Sequence, residues 1–347
     1  MLVDSPPEQR AETAPAPPTR RAIRAVGLFA ALAVLVLVAL ASIAIGAKEL
    51  SLQQVWHGLF QDTGTYGDVV VDERLARTAL GLLAGAALGL SGAVLQALTR
   101  NPLADPGLLG INAGASAAVV TAITYFGVTS LNGYVWFAFV GAAAVGALVW
   151  FLGGSRSATP VRLALAGTAV SAALYGYLQA VMITDQAALN KMRFWTVGSL
   201  ASATDSTTLR VLPFIAAGSV LSLVLARPLN AVAMGDDTAK ALGADLNRTR
   251  ALSMLAATVL CGAATAACGP IAFVGLMVPH GVRSFTGPDL RWILPYAAIL
   301  SPVLLLGADV LGRVVARPSE LQVGIITAII GGPVFIFLVR RRRTTQL

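Results

Sequence analysis

Few residues in this chain could do chemistry, and most of those are arginines near acids. Asp309 lies inside an apolar stretch, with Arg313 four residues further on. On a helix that spacing puts both side chains on one face. An acid within an apolar span is a functional candidate by default. With an arginine on the next turn, an internal ion pair is the simpler expectation. Arg74 and Arg77 flank another apolar stretch, with Glu73 beside them. Arginine suits bidentate pairing with carboxylates. Arginines at the ends of spans also snorkel towards lipid headgroups, so the residues alone leave both roles open.

Catalytic constellations are missing. The two histidines, His57 and His280, stand in separate loops, which excludes an HExxH site. None of the three lysines, Lys48, Lys191 and Lys240, follows a glycine, so there is no phosphate-binding GxxxxGK[ST] loop. Cys261 and Cys268 are seven residues apart in one apolar segment. On a helix that is about 10 Å of rise, too far for a disulfide. The expectation is a protein that is not an enzyme, with no cofactor or metal site of its own.

The elements that carry these residues follow from composition. The chain has 347 residues, of which 56% are hydrophobic and 12% charged. Soluble domains carry about 25% charged residues. This much apolar surface calls for membrane spans of about 20 residues each. The fold class expected is all-α, a polytopic membrane protein with about ten transmembrane helices. The apolar segments fall near 25–45, 78–98, 107–127, 133–153, 161–183, 208–226, 251–268, 269–281, 293–312 and 322–339. The segment 269–281 opens on Gly269-Pro270 and closes on Pro279-His280-Gly281. It is too short to cross alone and must be packed inside protein or line a cavity. Residues 1–24 are polar and proline-rich and read as a disordered cytoplasmic tail, leaving 25–343 as the transmembrane domain. The run after Arg20-Arg21 is longer than a signal peptide's apolar core and is expected to be an uncleaved first span.

The net charge is +8. The basic residues lie between the apolar segments, which points to membrane orientation rather than nucleic-acid binding. With the N-terminus in the cytoplasm and strict alternation, 17 of the 25 basic residues fall inside, and both termini are cytoplasmic. Lys48, Arg74, Arg77, Lys191, Arg193, Arg210, Arg313 and Arg317 fall outside.

Two loops on the cytoplasmic side carry structure. Arg100-Asn-Pro-Leu-Ala-Asp-Pro-Gly-Leu-Leu-Gly110 is dense in turn formers and reads as a tight hairpin or a gate. The loop 227–250 contains Met234 to Ala244, which reads as a short capped helix. Asp236 or Asp237 would cap its start, and Gly243 would stop it. Such a helix could lie on lipid or dock into a partner's groove.

At this point the motifs resemble a known family, the FecCD-type permeases of bacterial ABC importers for iron–siderophore complexes, haem and vitamin B12. The segments that carry the resemblance are Arg100 to Gly110, Gly269-Pro-Ile-Ala-Phe-Val-Gly-Leu-Met-Val-Pro-His280, Ala308-Asp-Val-Leu-Gly-Arg313 and Gly331-Gly-Pro-Val-Phe-Ile-Phe337. Within the family, Arg193-Phe-Trp195 and Gly198-Ser-Leu200 are most similar to permeases for ferric enterobactin.

The resemblance implies the type II importer fold in the bacterial cytoplasmic (inner) membrane, with ferric siderophore as cargo. It implies a second permease subunit, a paralogue, and two copies of a cytoplasmic ATPase that bind ATP and Mg. It also implies an extracytoplasmic siderophore-binding protein. Gly235, Asp236, Asp237, Thr238, Ala239, Lys240, Ala241, Leu242 and Gly243 are similar to the coupling helix that meets the ATPase. Arg74, Arg77 and Arg313 are similar to the arginines that meet glutamates of the binding protein, a patch that Glu73 would partly neutralise. Asn101, Leu103, Ser157 and Thr159 match cytoplasmic gate positions. The alternatives are a haem or vitamin B12 permease of the same family, or an ion-coupled secondary transporter. The last would need intramembrane acids, and only Asp309 offers itself.

Overall fold

The computed structural model describes residues 20–61, 64–128, 130–154 and 159–343. Among them fourteen α-helices and one 3-10 turn follow in order. They are α1 Arg20–Ala44, α2 Leu52–Phe60, α3 Tyr66–Leu98, α4 Ile111–Phe126, α5 Leu131–Leu152, α6 Pro160–Thr184 and α7 Gln186–Trp195. There follow α8 Asp205–Val224, α9 Ala226–Ala233, α10 Asp236–Ala241, α11 Leu246–Cys268, α12 Val274–Thr286, α13 Leu290–Val315 and α14 Val323–Arg343. Seven of these helices are long and apolar enough to cross a membrane. Each of the ten apolar segments of the sequence carries one helix. The segments not among those seven are α4, α12 and α14.

The bundle is built around α3, which packs on α13, α11, α12 and α8. Its apolar window and that of α11 are each 78% buried, whereas α1, held mainly against α13, is 11% buried. Lipid supplies no hydrophobic force between helices, so close backbone approach has to hold them. Gly81, Gly85 and Gly89 recur every four residues along α3 and face α13. A Cβ at Gly85 would lie 2.5 Å from the Pro302 Cα. Gly92 meets the Gly275 backbone of α12, and Gly114 of α4 crosses Gly141 of α5 at the same range.

Two early boundaries differ from the sequence expectation. Helix α3 begins at Tyr66, well before 78. Its first turns hold Asp68, Asp72, Glu73, Arg74 and Arg77, which dilute the apolar signal, but Asp68 caps the helix and both arginines find partners. Residues 20–24 belong to α1 rather than to a disordered tail, and residues 1–19 lie outside the described residues. The helices α2, α7 and α9 are too short or too polar to register as spans.

The broken segment packs inside the protein as expected, but its helix does not close at Pro279-His280-Gly281 and runs through Pro279 to Thr286. Residues 269–273 are not helical, and α12 follows, packed against α3 and α13. The turn 195–199 threads beside it, where the Ser199 N–H donates to the Cys268 carbonyl at 2.7 Å.

Candidate functional site

The bundle carries an organised polar cluster at each end. The first joins the end of α1, the start of α3 and the end of α13. The sequence placed Asp309 beside Arg313, and the two do pair, at 3.0 Å. Arg77 completes the cluster. Its Nε and Nη2 donate to the Asp309 carboxylate at 2.9 and 2.7 Å, and its Nη1 donates to Glu320 at 2.7 Å. Arg313 also donates to the Ser42 carbonyl and hydroxyl, both at 2.9 Å. Arg74 donates to the carbonyls of Ile43, Ala44 and Lys48 at 3.0, 2.9 and 2.6 Å. The carbonyls of Ile43 and Ala44 end α1, where no helical donor remains and a cation is favoured.

Arg74, Arg77 and Arg313, for which the residues alone left snorkelling and carboxylate pairing open, turn into the subunit. All three are buried, and each makes hydrogen bonds inside the subunit, although the Arg313 Nε has no partner. The reason is local: two arginines around a fully buried Asp309 neutralise it, and Arg74 serves the end of α1. They nonetheless border a cavity of about 470 Å³, open at this end, together with Lys48, Glu73, Glu320 and the turn 201–204.

The second cluster centres on α10. Gly235, with φ +116°, precedes the helix, and Asp236 and Asp237 occupy its first turn. Neither aspartate is the N-cap, because the glycine takes that place. Gly243 stops the helix as expected, with φ +76° and the Ala244 N–H donating to the Ala239 carbonyl at 2.9 Å. Ala239 is buried on Val232 and Leu246. Asp237, Thr238, Lys240, Ala241, Leu242 and Gly243 are exposed. The apolar side chains of Met234 and Leu242 are each 63% exposed at its two ends.

Asp236 turns the other way. One carboxylate oxygen pairs with Arg100, and the other accepts from Arg250 at 2.7 Å. Partial burial pushes this carboxyl up, but Arg250 and then Arg100 outweigh it and hold it below the usual carboxylate range.

The loop after α3 is tightly turned. The Asn101 Oδ1 accepts from the Leu103 N–H at 3.0 Å, and the Asp105 Oδ1 accepts from the Gly107 N–H at 2.7 Å. Asn101 borders a cavity of about 310 Å³, shared with Thr99, Asp105 and Val161 of α6. Of the other gate candidates, Thr159 caps α6 through the Arg162 N–H, Leu103 is half-buried, and Ser157 lies outside the described residues.

A further clasp joins α9 to α13. The Asn230 amide donates to Asp289 at 2.7 Å and accepts from the Leu290 N–H at 2.9 Å, while Arg291 holds Asp289 at 2.8 Å. Sequence reasoning missed Ser42, Glu320, Arg250 and this clasp. Each belongs to a contact between residues distant in sequence or carries no motif.

Among the described residues no three His, Cys, Asp or Glu side chains gather as a metal site. A model of the FecCD transport family matches residues 34–341. The chain belongs to the FecCD transport family.

This FecCD chain is 46% identical over 325 residues to the ferric enterobactin transport system permease protein FepD of Escherichia coli (strain K12), covering 92% of this chain and 96% of that one. It is 38% identical over 318 residues to the hemin transport system permease protein HmuU of Yersinia pestis, covering 90% and 94%. A solved structure described as an inward-facing metal-chelate type ABC transporter is 29% identical, with TM-score 0.81 over 91% of this chain and 99% of that one. The chain is therefore a multi-pass membrane permease of the ABC importer class with the type II importer fold, a transport subunit and not itself an enzyme.

Proposed function

We propose that this chain is the permease subunit of an importer that moves a ferric siderophore inward across the bacterial cytoplasmic membrane. The α10 end faces the cytoplasm, where two copies of an ATPase bind ATP and Mg. The observation that carries this reading is the exposed face of α10. A six-residue helix is anchored by one buried alanine and shows an otherwise polar face flanked by Met234 and Leu242. A soluble face with two exposed apolar anchors suits a groove in a partner protein. The other end faces outward. There the cavity bordered by Arg74, Arg77 and Arg313 would admit carboxylates of a substrate-binding protein. Because the guanidinium groups already have partners, such a protein would share them rather than capture free charges. The second subunit is a paralogue, as in systems that pair two different permeases.

The cargo reading rests on the likeness to FepD. Haem, as for HmuU, is the competing cargo within the family. Ion coupling is disfavoured because Asp309 is already neutralised by two arginines.

Two assays test the proposal. In the reconstituted complex, Asp237→Arg with Leu242→Asp should abolish ATPase co-purification and uptake; normal association would remove the coupling role of α10. Competition for uptake among ferric enterobactin, a ferric hydroxamate and haem should favour the catecholate; preference for haem would overturn the cargo assignment.

A further inference from the structure

We propose that Asp236 ties α10 to the loop after α3, so that displacement of α10 moves the Arg100–Asp105 loop with it. This rests on the reading of α10 as the helix that meets the ATPase.

Three observations carry the inference. First, the Asp236 carboxylate is a bridge and not a single pair. Arg100, on the loop, holds one oxygen, and Arg250, on α11, holds the other. The buried contact of α10 is otherwise Ala239 alone. The carboxylate is therefore a main attachment of the helix to the bundle. Side-chain exposures of 36% for Arg100 and 40% for Asp236 leave the pair screened by solvent and able to open.

Second, Arg100 occupies a strained position. Its φ is +51°, in the left-handed region, and it follows the end of α3 where glycine is the usual residue. The Arg100 and Asn101 N–H groups make the helix-stop bonds to the Ala97 and Gln96 carbonyls, each at 3.2 Å. A glycine would satisfy that backbone without strain. An arginine there is explained by what its side chain reaches, which is Asp236.

Third, the loop is turned back on itself beside a cavity wall. Asn101 folds back on the Leu103 N–H and borders the cavity shared with Val161 at the start of α6. A pull on Arg100 is a pull on the wall of that cavity.

The tie is tested first without the ATPase, by hydrogen exchange on the purified subunit. Arg100→Gly and Asp236→Asn should each raise exchange in α10 and in residues 100–105 together. Faster exchange confined to α10 would overturn the tie. The second test uses the full transporter in liposomes and counts ferric enterobactin taken up per ATP hydrolysed. Each variant should lower that ratio about fivefold or more, although Arg100→Gly relieves backbone strain. The double variant should be no worse than either single one, as for residues acting through one contact. Wild-type transport by Arg100→Gly, or multiplied effects in the double variant, would overturn the proposal. Asp237→Arg leaves the tie intact, so normal ATPase association in that variant would count against the ATPase contact alone.

Discussion

Arg77 and Asp309 stand 232 positions apart in sequence, yet Nη2 of the arginine meets Oδ1 of the aspartate at 2.7 Å inside the bundle. That contact joins the start of α3 to the end of α13, the two helices that form the largest packing surface of the fold. It also determines what the acid does, because a carboxylate held by two arginines is a structural counter-ion.

Asp309→Asn should therefore be strongly destabilising. It removes the charge that balances Arg77 and Arg313 and leaves cations buried with incomplete compensation. Breaking a buried pair in this way costs about 3–5 kcal/mol. Glu320 retains one contact with Arg77, which places the expected loss at the lower end. Thermal unfolding of the detergent-solubilised subunit measures it; an unchanged midpoint would contradict the structural role.

Uptake should be independent of the proton gradient for the same reason. In liposomes supplied with ATP, a protonophore should leave the initial uptake rate unchanged. Loss of uptake on collapse of the gradient would return Asp309 to the status of a coupling acid.

Glycines separate packing from mere composition. At Gly92 an added Cβ would run into the Gly275 carbonyl, which is backbone and cannot rotate away. Gly92→Ala should cost about 1–3 kcal/mol as overpacking. Gly176 on α6 has nothing within 4 Å of an added Cβ. Gly176→Ala should be neutral or stabilise by about 0.5–1 kcal/mol, since alanine loses less backbone freedom in a helix. Unfolding midpoints of the two variants should thus move in opposite directions or differ clearly.

The clasp of α9 on α13 should show a defined acid sensitivity. Hydrogen bonds from Arg291 hold the Asp289 carboxyl at about 2, below its ordinary 3.8. The folded state thus binds this proton less readily than the unfolded chain. Stabilisation by the group is complete above 3.8, falls as pH drops, and is gone below about 2. The stability difference between the wild type and Asp289→Asn should be flat from neutral pH down to about 5 and shrink below about 4. A difference that grows towards acid would reverse the assignment.

The sequence by itself determined the membrane, the ten apolar segments, the broken segment at 269–281 and the two-sided distribution of basic residues. These follow from composition and local spacing, which act before any tertiary contact forms. Arg100 and Arg250 meet at α10, whereas Arg74, Arg77 and Arg313 gather at the α1–α3–α13 end. Gly243 was legible as a helix stop because only a left-handed residue serves there. The start of α3 was not, because its charges hid a helix whose polar groups find partners only in the folded bundle.

Only the tertiary structure decided what the charged residues do. The residues alone leave the role of Arg74 open, and the fold uses it to close the end of α1. Local spacing offers Asp236 or Asp237 as a cap, yet Asp236 bridges Arg100 and Arg250. A guanidinium group has the same chemistry free or buried; its role depends on which distant acid or carbonyl the packing of helices brings within about 3 Å, and no local pattern encodes that.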